Sequence, residues 1–258
     1  MNQYGVQLYT VRDYMKSEED IRNTFFKLKK MGYDQIQTAG CAISYERYGE
    51  LAQEAGLEIV GTHDNFNMMK EQFETALKNH QLLHTTNMGI GGMSYQSQED
   101  VLRFIDQANS VAEEAAKYGM KFTYHNHSHE FYRWENGKTT MDMLVDGLNP
   151  ETTSFVLDTY WVQHGGGDVR HWIEKLQGRI DILHLKDMKR NISEDASIQQ
   201  ITEVGNGNLY WEGILATARK NGVKYFVVEQ DENWEKDCFS SLEQSLKYLR
   251  ELDLLMEK

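Results

Sequence analysis

Proline and cysteine are both scarce in this chain. Its 258 residues include a single proline, Pro150, and two cysteines, Cys41 and Cys238. Two cysteines this far apart supply neither a CxxC motif nor a disulfide framework, so we expect a protein of the reducing cytoplasm. The sequence also lacks a linker rich in proline, glycine or serine, which favours one domain over residues 1–258.

Positive charge and long apolar runs are lacking too. The 27 Lys and Arg residues against 40 Asp and Glu leave a formal net charge of −13 with His neutral. An acidic surface repels phosphate, so we expect no nucleic-acid partner. The first ten residues show no cationic segment followed by an apolar one, and no stretch approaches the roughly 20 apolar residues of a membrane-spanning helix. We therefore expect neither secretion nor membrane insertion.

A repeated unit is what the sequence does contain. An amphipathic helical segment ends at a glycine, which can adopt the left-handed conformation that closes the last turn, and a short β-rich run follows. These glycines are Gly32, Gly56, Gly119, Gly147, Gly178 and Gly222. Helix starts are marked as well, since Ser17 with Asp20 has the pattern of a capping box and Asp168 can cap a later helix.

Eight short runs of β-branched and aromatic residues predict strands. They cover residues 4–9, 35–38, 58–62, 87–90, 121–125, 154–157, 180–183 and 224–228. Strands that alternate with helices about every 30 residues imply right-handed parallel crossovers, so we predict an α/β protein, a single (β/α)8 TIM barrel. A doubly wound open sheet is the alternative, but the turn after the first strand lacks GxGxxG.

Reactive side chains are expected where the strands of such a barrel end. Six of the nine histidines lie at these ends: His63, His125, His127, His129, His164 and His184. Asp158 and Glu229 directly follow the sixth and eighth strands. Imidazoles and carboxylates that converge at one barrel mouth predict one divalent metal ion, with Mn favoured and Co, Zn, Mg or Fe as alternatives.

Candidate anion-binding groups follow the later strands. Lys186 and Arg190 are cations that could bind a phosphate, a carboxylate or a keto oxygen. The glycine-rich segments 165–167, before the helix capped by Asp168, and 205–208, after the seventh strand, could present backbone N–H groups to an anion. We favour flexible turns as the interpretation of both segments.

Six short segments occur in an informative order along the chain. They are GVQLYTVR at 5–12, YHNH at 124–127, LDT at 157–159, HLKD at 184–187, VGNG at 204–207 and VE at 228–229. In order and spacing, this set resembles the sugar phosphate isomerase/epimerase group of xylose-isomerase-like barrels. In that family Glu, Asp, His and Glu from strands five to eight hold a divalent metal. The resemblance implies that the equivalent positions here are His125, Asp158, His184 and Glu229.

Strand five departs from the family pattern. The chain has His125-Asn126-His127 where the family has Glu-Asn-His, so the first carboxylate ligand is missing. In the family, that Glu and the strand-eight Glu commonly exchange protons with opposite faces of the substrate carbon. Glu130 could replace it as metal ligand or base, and His127 is the other candidate base.

The resemblance implies a metal-dependent isomerase or epimerase of a sugar or keto-sugar that works through an enediolate. Glu229, Glu130 and His127 would move protons. The residues expected to hold the substrate are His63, Trp161, Lys186 and Arg190. Trp161 stands where many relatives carry a substrate-contacting His, and it could stack on a sugar face or simply pack.

Two other functions remain open: a 3-keto-glycoside lyase on the same scaffold, and a catalytically silent sugar-binding barrel. The apurinic endonucleases of the same superfamily fit poorly, because they grip a phosphate backbone and this chain carries −13. We expect a small carbohydrate as the partner, and the sequence leaves a homo-oligomer open.

Overall fold

The computed structural model describes residues 3–190 and 199–257. The strands in this part are β1 (Gly5–Gln7), β2 (Gln35–Gln37), β3 (Glu58–Gly61), β4 (Asn87–Ile90), β5 (Lys121–His125), β6 (Thr153–Asp158), β7 (Ile180–Leu185), β8 (Asp187–Arg190), β9 (Gln199–Thr202) and β10 (Tyr225–Val228). The α-helices are α1 (Glu18–Met31), α2 (Tyr45–Ala55), α3 (Phe66–Glu71), α4 (Phe73–Leu82), α5 (Gln98–Ala116), α6 (Thr140–Gly147), α7 (Thr159–His164), α8 (Val169–Lys175), α9 (Trp211–Lys220) and α10 (Cys238–Met256). Short 3-10 helices cover Leu8–Tyr14 and His129–Phe131.

Eight strands form one parallel sheet in the order β3-β2-β1-β10-β7-β6-β5-β4. The two strands at the ends of this order meet, because the backbone N–H of Asp64 donates to the carbonyl of Gly89 at 2.8 Å. The backbone N–H of Gly89 donates in turn to the Thr62 hydroxyl at 3.1 Å. The sheet is therefore a nearly closed barrel surrounded by helices, which confirms the predicted TIM barrel.

The apolar residues inside the barrel show which strand-end polar residues also face its interior. Val60, Val156, Ile182 and Val227 are buried together as a small apolar cluster from four strands. Side chains two residues apart on a strand share a face. Two positions beyond three of these residues lie Asp158, His184 and Glu229, so these polar side chains face the same interior, one layer nearer the carboxyl ends of the strands.

All eight predicted barrel strands are present, with ends displaced by at most two residues. The predicted helix caps also form, since the hydroxyl of Ser17 accepts from the backbone N–H of Asp20 and the carboxylate of Asp168 accepts from two backbone N–H groups. The prediction for Gly147 was wrong, because this glycine is the last residue of α6 and not a left-handed cap. A Cβ there would lie 2.9 Å from Ile105, so the glycine permits close packing of α5 and α6.

An antiparallel pair of strands, β8 and β9, follows the seventh barrel strand and was not predicted. Its strands pair from Asp187 with Thr202 to Arg190 with Gln199. The sequence of β8 is polar and shows no alternation of apolar residues. The pattern that predicts the barrel strands is therefore absent from β8. Across the described ranges, no helix combines the length and apolar character that crossing a bilayer requires.

Candidate metal and active site

Four side chains converge at the carboxyl ends of neighbouring strands. His125 ends β5, Asp158 ends β6, His184 lies near the end of β7, and Glu229 directly follows β10. One ligand atom from each lies within 4.8 Å of the others, and all four residues are buried. The structure thus brings together the four positions that the family resemblance implies, and we call them the four-residue cluster.

Hydrogen bonds from outside the cluster orient both of its imidazoles. The carbonyl of Gly91 lies 3.3 Å from Nδ1 of His125, and a carbonyl only accepts, so Nδ1 carries the hydrogen. Nε2 of His125 is left to face Oδ2 of Asp158 at 3.5 Å. In the same way, Oε1 of Gln37 accepts from Nε2 of His184, which leaves Nδ1 of His184 3.6 Å from Oδ2 of Asp158.

Three of the atoms that face one another have no hydrogen-bond partner among the described residues. They are Nε2 of His125, Oδ2 of Asp158 and Nδ1 of His184, and all three are buried. Buried polar atoms without partners are costly, and a divalent cation would satisfy the three at once. Two imidazoles and two carboxylates also match the ligand preferences of Mn, Fe, Co and Zn. The cluster therefore fits a metal ion.

Lys186 is the buried cation beside the cluster. Its Nζ lies 2.6 Å from Oδ2 of Asp231, 3.3 Å from Oε2 of Glu229 and 3.8 Å from Oδ2 of Asp158. Burial raises the pKa of Glu229, but the charges of Lys186 and His184 outweigh burial and hold that pKa well below its usual range. Glu229 is thus ionised without a metal.

The pKa of His184 is shifted in the opposite direction to that of Glu229. Burial lowers the pKa of His184, but the carboxylates of Glu229 and Asp158 outweigh it and raise the pKa to about 9. A protonated His184 and the ammonium of Lys186 together balance buried negative charge. A metal ion at Nδ1 of His184 would have to displace that proton.

A cavity of about 380 Å³ opens onto the cluster. Its walls are Tyr9, Ala39, His63, Gly91, His125, His127, Lys186, Glu229 and Asp231. This volume is in the range of pockets for small molecules. Of the residues expected to hold a substrate, His63 and Lys186 line the cavity.

His63 lies directly beside the cluster histidines. Its ring centroid is 4.8 Å from that of His125 and 5.5 Å from that of His184. Burial, reinforced by these two imidazoles, lowers the pKa of His63 well below its usual range. The ring is therefore neutral at physiological pH.

Glu130 lies in a separate group with His127 and His129. Its carboxylate is fully buried and accepts from the Tyr124 hydroxyl at 2.7 Å and from the backbone N–H of His127 at 2.8 Å. The structure does not bring Glu130 into the four-residue cluster, so the missing strand-five carboxylate is not replaced there. Glu130 instead holds the backbone of His127, whose ring lines the cavity.

Trp161 and Arg190 are placed outside the cavity wall. The Trp161 ring centroid lies 5.0 Å from Nζ of Lys186 and 5.2 Å from the ring of His127, so this side chain contacts two lining residues. Arg190 is exposed at the end of β8, where its backbone N–H donates to Asn208. Neither Trp161 nor Arg190 is therefore among the residues that line the cavity.

The glycine-rich segment 205–208 surrounds an anion that the chain itself supplies. Backbone N–H groups of Gly205 and Gly207 donate to Oδ2 of Asp187 at 2.9 and 3.1 Å. The indole N–H of Trp211 donates to the same oxygen at 2.7 Å. Because a carboxylate of the protein fills this site, it is not open to a phosphate. The other segment, 165–167, is the turn between α7 and α8.

Sequence reasoning did not assign the two glutamines behind the site. Gln37 orients His184, and Gln7 contacts His63 with its Nε2 at 3.2 Å from Nδ1. Both glutamines are the last residues of strands in the barrel and are fully buried. A glutamine near the carboxyl end of a predicted strand is a signal that could have found them.

Comparison with known proteins gives the same fold. The model of the xylose isomerase-like TIM barrel family matches residues 25–252. A structure named sugar phosphate isomerase/epimerase from Parabacteroides distasonis superposes with a TM-score of 0.80 at 23% identity, covering 96% of this chain and 93% of that one. A structure of D-allulose 3-epimerase from Methylomonas superposes with a TM-score of 0.74 at 14% identity, covering 97% of each chain.

A curated relative with detectable sequence similarity is named inosose dehydratase. The protein from Bacillus licheniformis is 27% identical over 163 residues, which are 59% of this chain and 53% of the relative. The chain thus spans about half the length of this relative. Since the family model covers most of the chain, the protein belongs to the xylose isomerase-like TIM barrel family.

Proposed function

We propose that this protein is a metal-dependent enzyme that enolises a small sugar or keto-sugar and so acts as an isomerase or epimerase. The observation that carries the proposal is the four-residue cluster, with three buried atoms unpartnered in the described chain, at the wall of a small cavity. His125, Asp158, His184 and Glu229 would hold the metal. A bound divalent ion would polarise a substrate carbonyl and stabilise the negative charge of the enolised form.

The chain's own residues supply the remaining chemistry. Glu229 is the carboxylate of the cluster that lines the cavity, and it would take the proton from the carbon next to the carbonyl. Lys186 lies 3.3 Å from Glu229 and would hold a substrate oxygen near that base. His127 lines the same cavity and is the candidate for proton transfer at another face. Burial and the nearby His125 lower the pKa of His127 to about 4, so the ring is neutral and can accept a proton.

Elimination on the same scaffold is the second candidate. The carboxylate of Glu130 is engaged by Tyr124 and by the backbone of His127, so Glu229 is the one family base at the cluster. A single base suffices to remove a proton next to a ketone and to return that proton to a β-hydroxyl, which leaves as water while a carbon–carbon double bond forms. The name of the relatives, inosose dehydratase, is consistent with such a reaction.

Proton exchange with solvent tests the proposal. Metal-loaded protein would be incubated in D2O with a panel of keto-sugars, and deuterium at the carbon next to the carbonyl would be measured by NMR. We expect exchange in the wild type and a loss of about 100-fold or more in Glu229→Gln, because the base is removed. Glu232→Gln, an exposed neighbour, is the matched control and should exchange normally.

The products separate the candidate reactions. An isomer or epimer supports the first proposal, and an unsaturated ketone with strong ultraviolet absorbance supports elimination. Wild-type protein that binds metal and sugar without exchange would be a silent sugar-binding barrel. Undiminished exchange in Glu229→Gln would show that another residue is the base.

A further inference from the structure

A short relay of hydrogen bonds lies beside the cluster and is not used by the metal site or by Glu229. It begins at the backbone N–H of Tyr9, passes through the side chain of Gln7 and reaches the ring of His63. Gln7 is fully buried and caps the 3-10 helix that follows β1. The side chain that contacts His63 is therefore fixed by the backbone.

The direction of each bond follows from the donors. A backbone N–H only donates, so the Gln7 atom 3.1 Å from Tyr9 is the accepting Oε1. The amide nitrogen Nε2 of Gln7 then faces Nδ1 of His63 at 3.2 Å. Because an amide nitrogen donates, Nδ1 must accept, and a hydrogen on Nδ1 would set two donors against each other. The single ring hydrogen of His63 is therefore on Nε2.

That N–H has no acceptor among the described residues. Nε2 of His63 is buried and makes no hydrogen bond within the part of the chain that the structure describes, and the ring lines the cavity. A buried donor without an acceptor is costly, and an oxygen of a bound ligand would satisfy it. The rings of His125 and His184 lie next to it, so this oxygen would sit beside the residues that hold the metal.

We propose that His63 donates this hydrogen bond, as a neutral imidazole, to the substrate oxygen that becomes negative on enolisation, and that Gln7 is the positioning residue that fixes its tautomer. The inference rests on the proposed function and names its ligand as a carbonyl or enolate oxygen. Since a nitrogen that carries hydrogen has no lone pair for a metal, the same geometry excludes His63 from the metal ligands. A preorganised donor to a developing oxyanion contributes about 100-fold in kcat.

The tautomer can be measured without any activity. Nitrogen-15 NMR of metal-free protein, labelled at histidine, reports which ring nitrogen carries the hydrogen. We expect hydrogen on Nε2 of His63 in the wild type and on Nδ1 in Gln7→Glu, where a carboxylate that only accepts replaces the amide donor. Gln35→Glu, a buried glutamine on β2, is the matched control and should leave His63 unchanged. Hydrogen on Nδ1 in the wild type overturns the proposal, even if the variants fail to fold.

Kinetics of two His63 variants test the role of the donor. We expect His63→Leu to lower kcat about 100-fold with a small change in KM and an unchanged metal content, and His63→Gln, which keeps an N–H, to recover about 10-fold of that loss. A wild-type kcat in His63→Leu, or loss of its metal, would overturn the proposal while leaving the proposed function intact. Wild-type protein that turns over no sugar would remove the proposed function, and the NMR measurement would still decide the tautomer.

Discussion

Lys186 provides the fixed positive charge among the buried carboxylates of the site. Its side chain is 1% exposed, and three carboxylates lie within 4 Å of its ammonium. Removing one member of a buried charge network leaves the others uncompensated, at a cost of about 3–5 kcal/mol. The same ammonium repels a divalent ion bound nearby. Loss of the Lys186 ammonium should therefore lower the stability of the metal-free protein and raise its affinity for the metal.

We expect Lys186→Met to lower the melting temperature of the metal-free protein and to gain more from added metal than the wild type does. Thermal unfolding with and without Mn would measure both effects. Lys78→Met, at an exposed position of α4, is the matched control and should gain as the wild type does. An equal metal-induced shift in Lys186→Met and wild type would show that Lys186 does not act on the metal.

Metal binding should depend on pH through His184. Its pKa is raised to about 9, so in the metal-free protein it carries a proton that a metal must displace. Apparent metal affinity should therefore rise between about pH 6.5 and pH 9, with up to one proton released per metal. The metal-free protein should lose stability over the same window, because a raised pKa stabilises the fold below the unfolded value of about 6.5 and this contribution is lost by about pH 9. Calorimetric titration in buffers of different ionisation enthalpy would measure the release, and a constant affinity would contradict it.

Among the elements, β3 and β4 form the seam that closes the barrel. Gly89 on β4 has no room for a side chain, since a Cβ would collide with the backbone oxygen of Thr62 and lie 2.6 Å from the hydroxyl of Thr123. The loop after β4 also carries the carbonyl of Gly91 that orients His125. The seam and the group that orients His125 therefore lie two residues apart on the chain.

We expect Gly89→Ala to lower the free energy of unfolding by about 1–3 kcal/mol and to weaken metal binding as well. Denaturant unfolding and metal titration would measure the two effects. Gly178→Ala, where φ is +75° and the space around the position is open, should cost stability through its backbone alone. Unchanged metal affinity in Gly89→Ala would show that the seam and the site are independent.

At the scale of the whole molecule, charge and cavity size argue against a nucleic-acid substrate. The net charge is −13, and the cavity of about 380 Å³ is lined by the carboxylates of Glu229 and Asp231. Binding DNA requires basic groups that neutralise phosphates. We expect no micromolar binding to abasic duplex DNA at physiological salt, measured by fluorescence anisotropy. Such binding, abolished by added salt, would contradict this view of the site.

The barrel was predictable from the sequence because its signals are local. Glycines that close helices and short β-branched runs recur along the chain, and their spacing alone requires parallel crossovers. The candidate metal residues were predictable for a related reason. Asp158, His184 and Glu229 lie at strand ends, which meet at one mouth in a parallel barrel, and the family resemblance implied them as ligands.

Only the tertiary structure decided which hydrogen-bond partner each polar side chain at that mouth has. Glu130 follows β5 closely, yet its carboxylate is taken by Tyr124 and by the backbone of His127. The segment 205–208 resembles an anion site, yet Asp187 fills it. Local sequence cannot show such occupancy, because the groups that satisfy a buried carboxylate or amide come from other parts of the chain. The tautomer of His63 depends on Gln7, and that of His184 depends on Gln37, for the same reason. Buried polar atoms need hydrogen-bond partners, and only folding brings these glutamines close to the histidines.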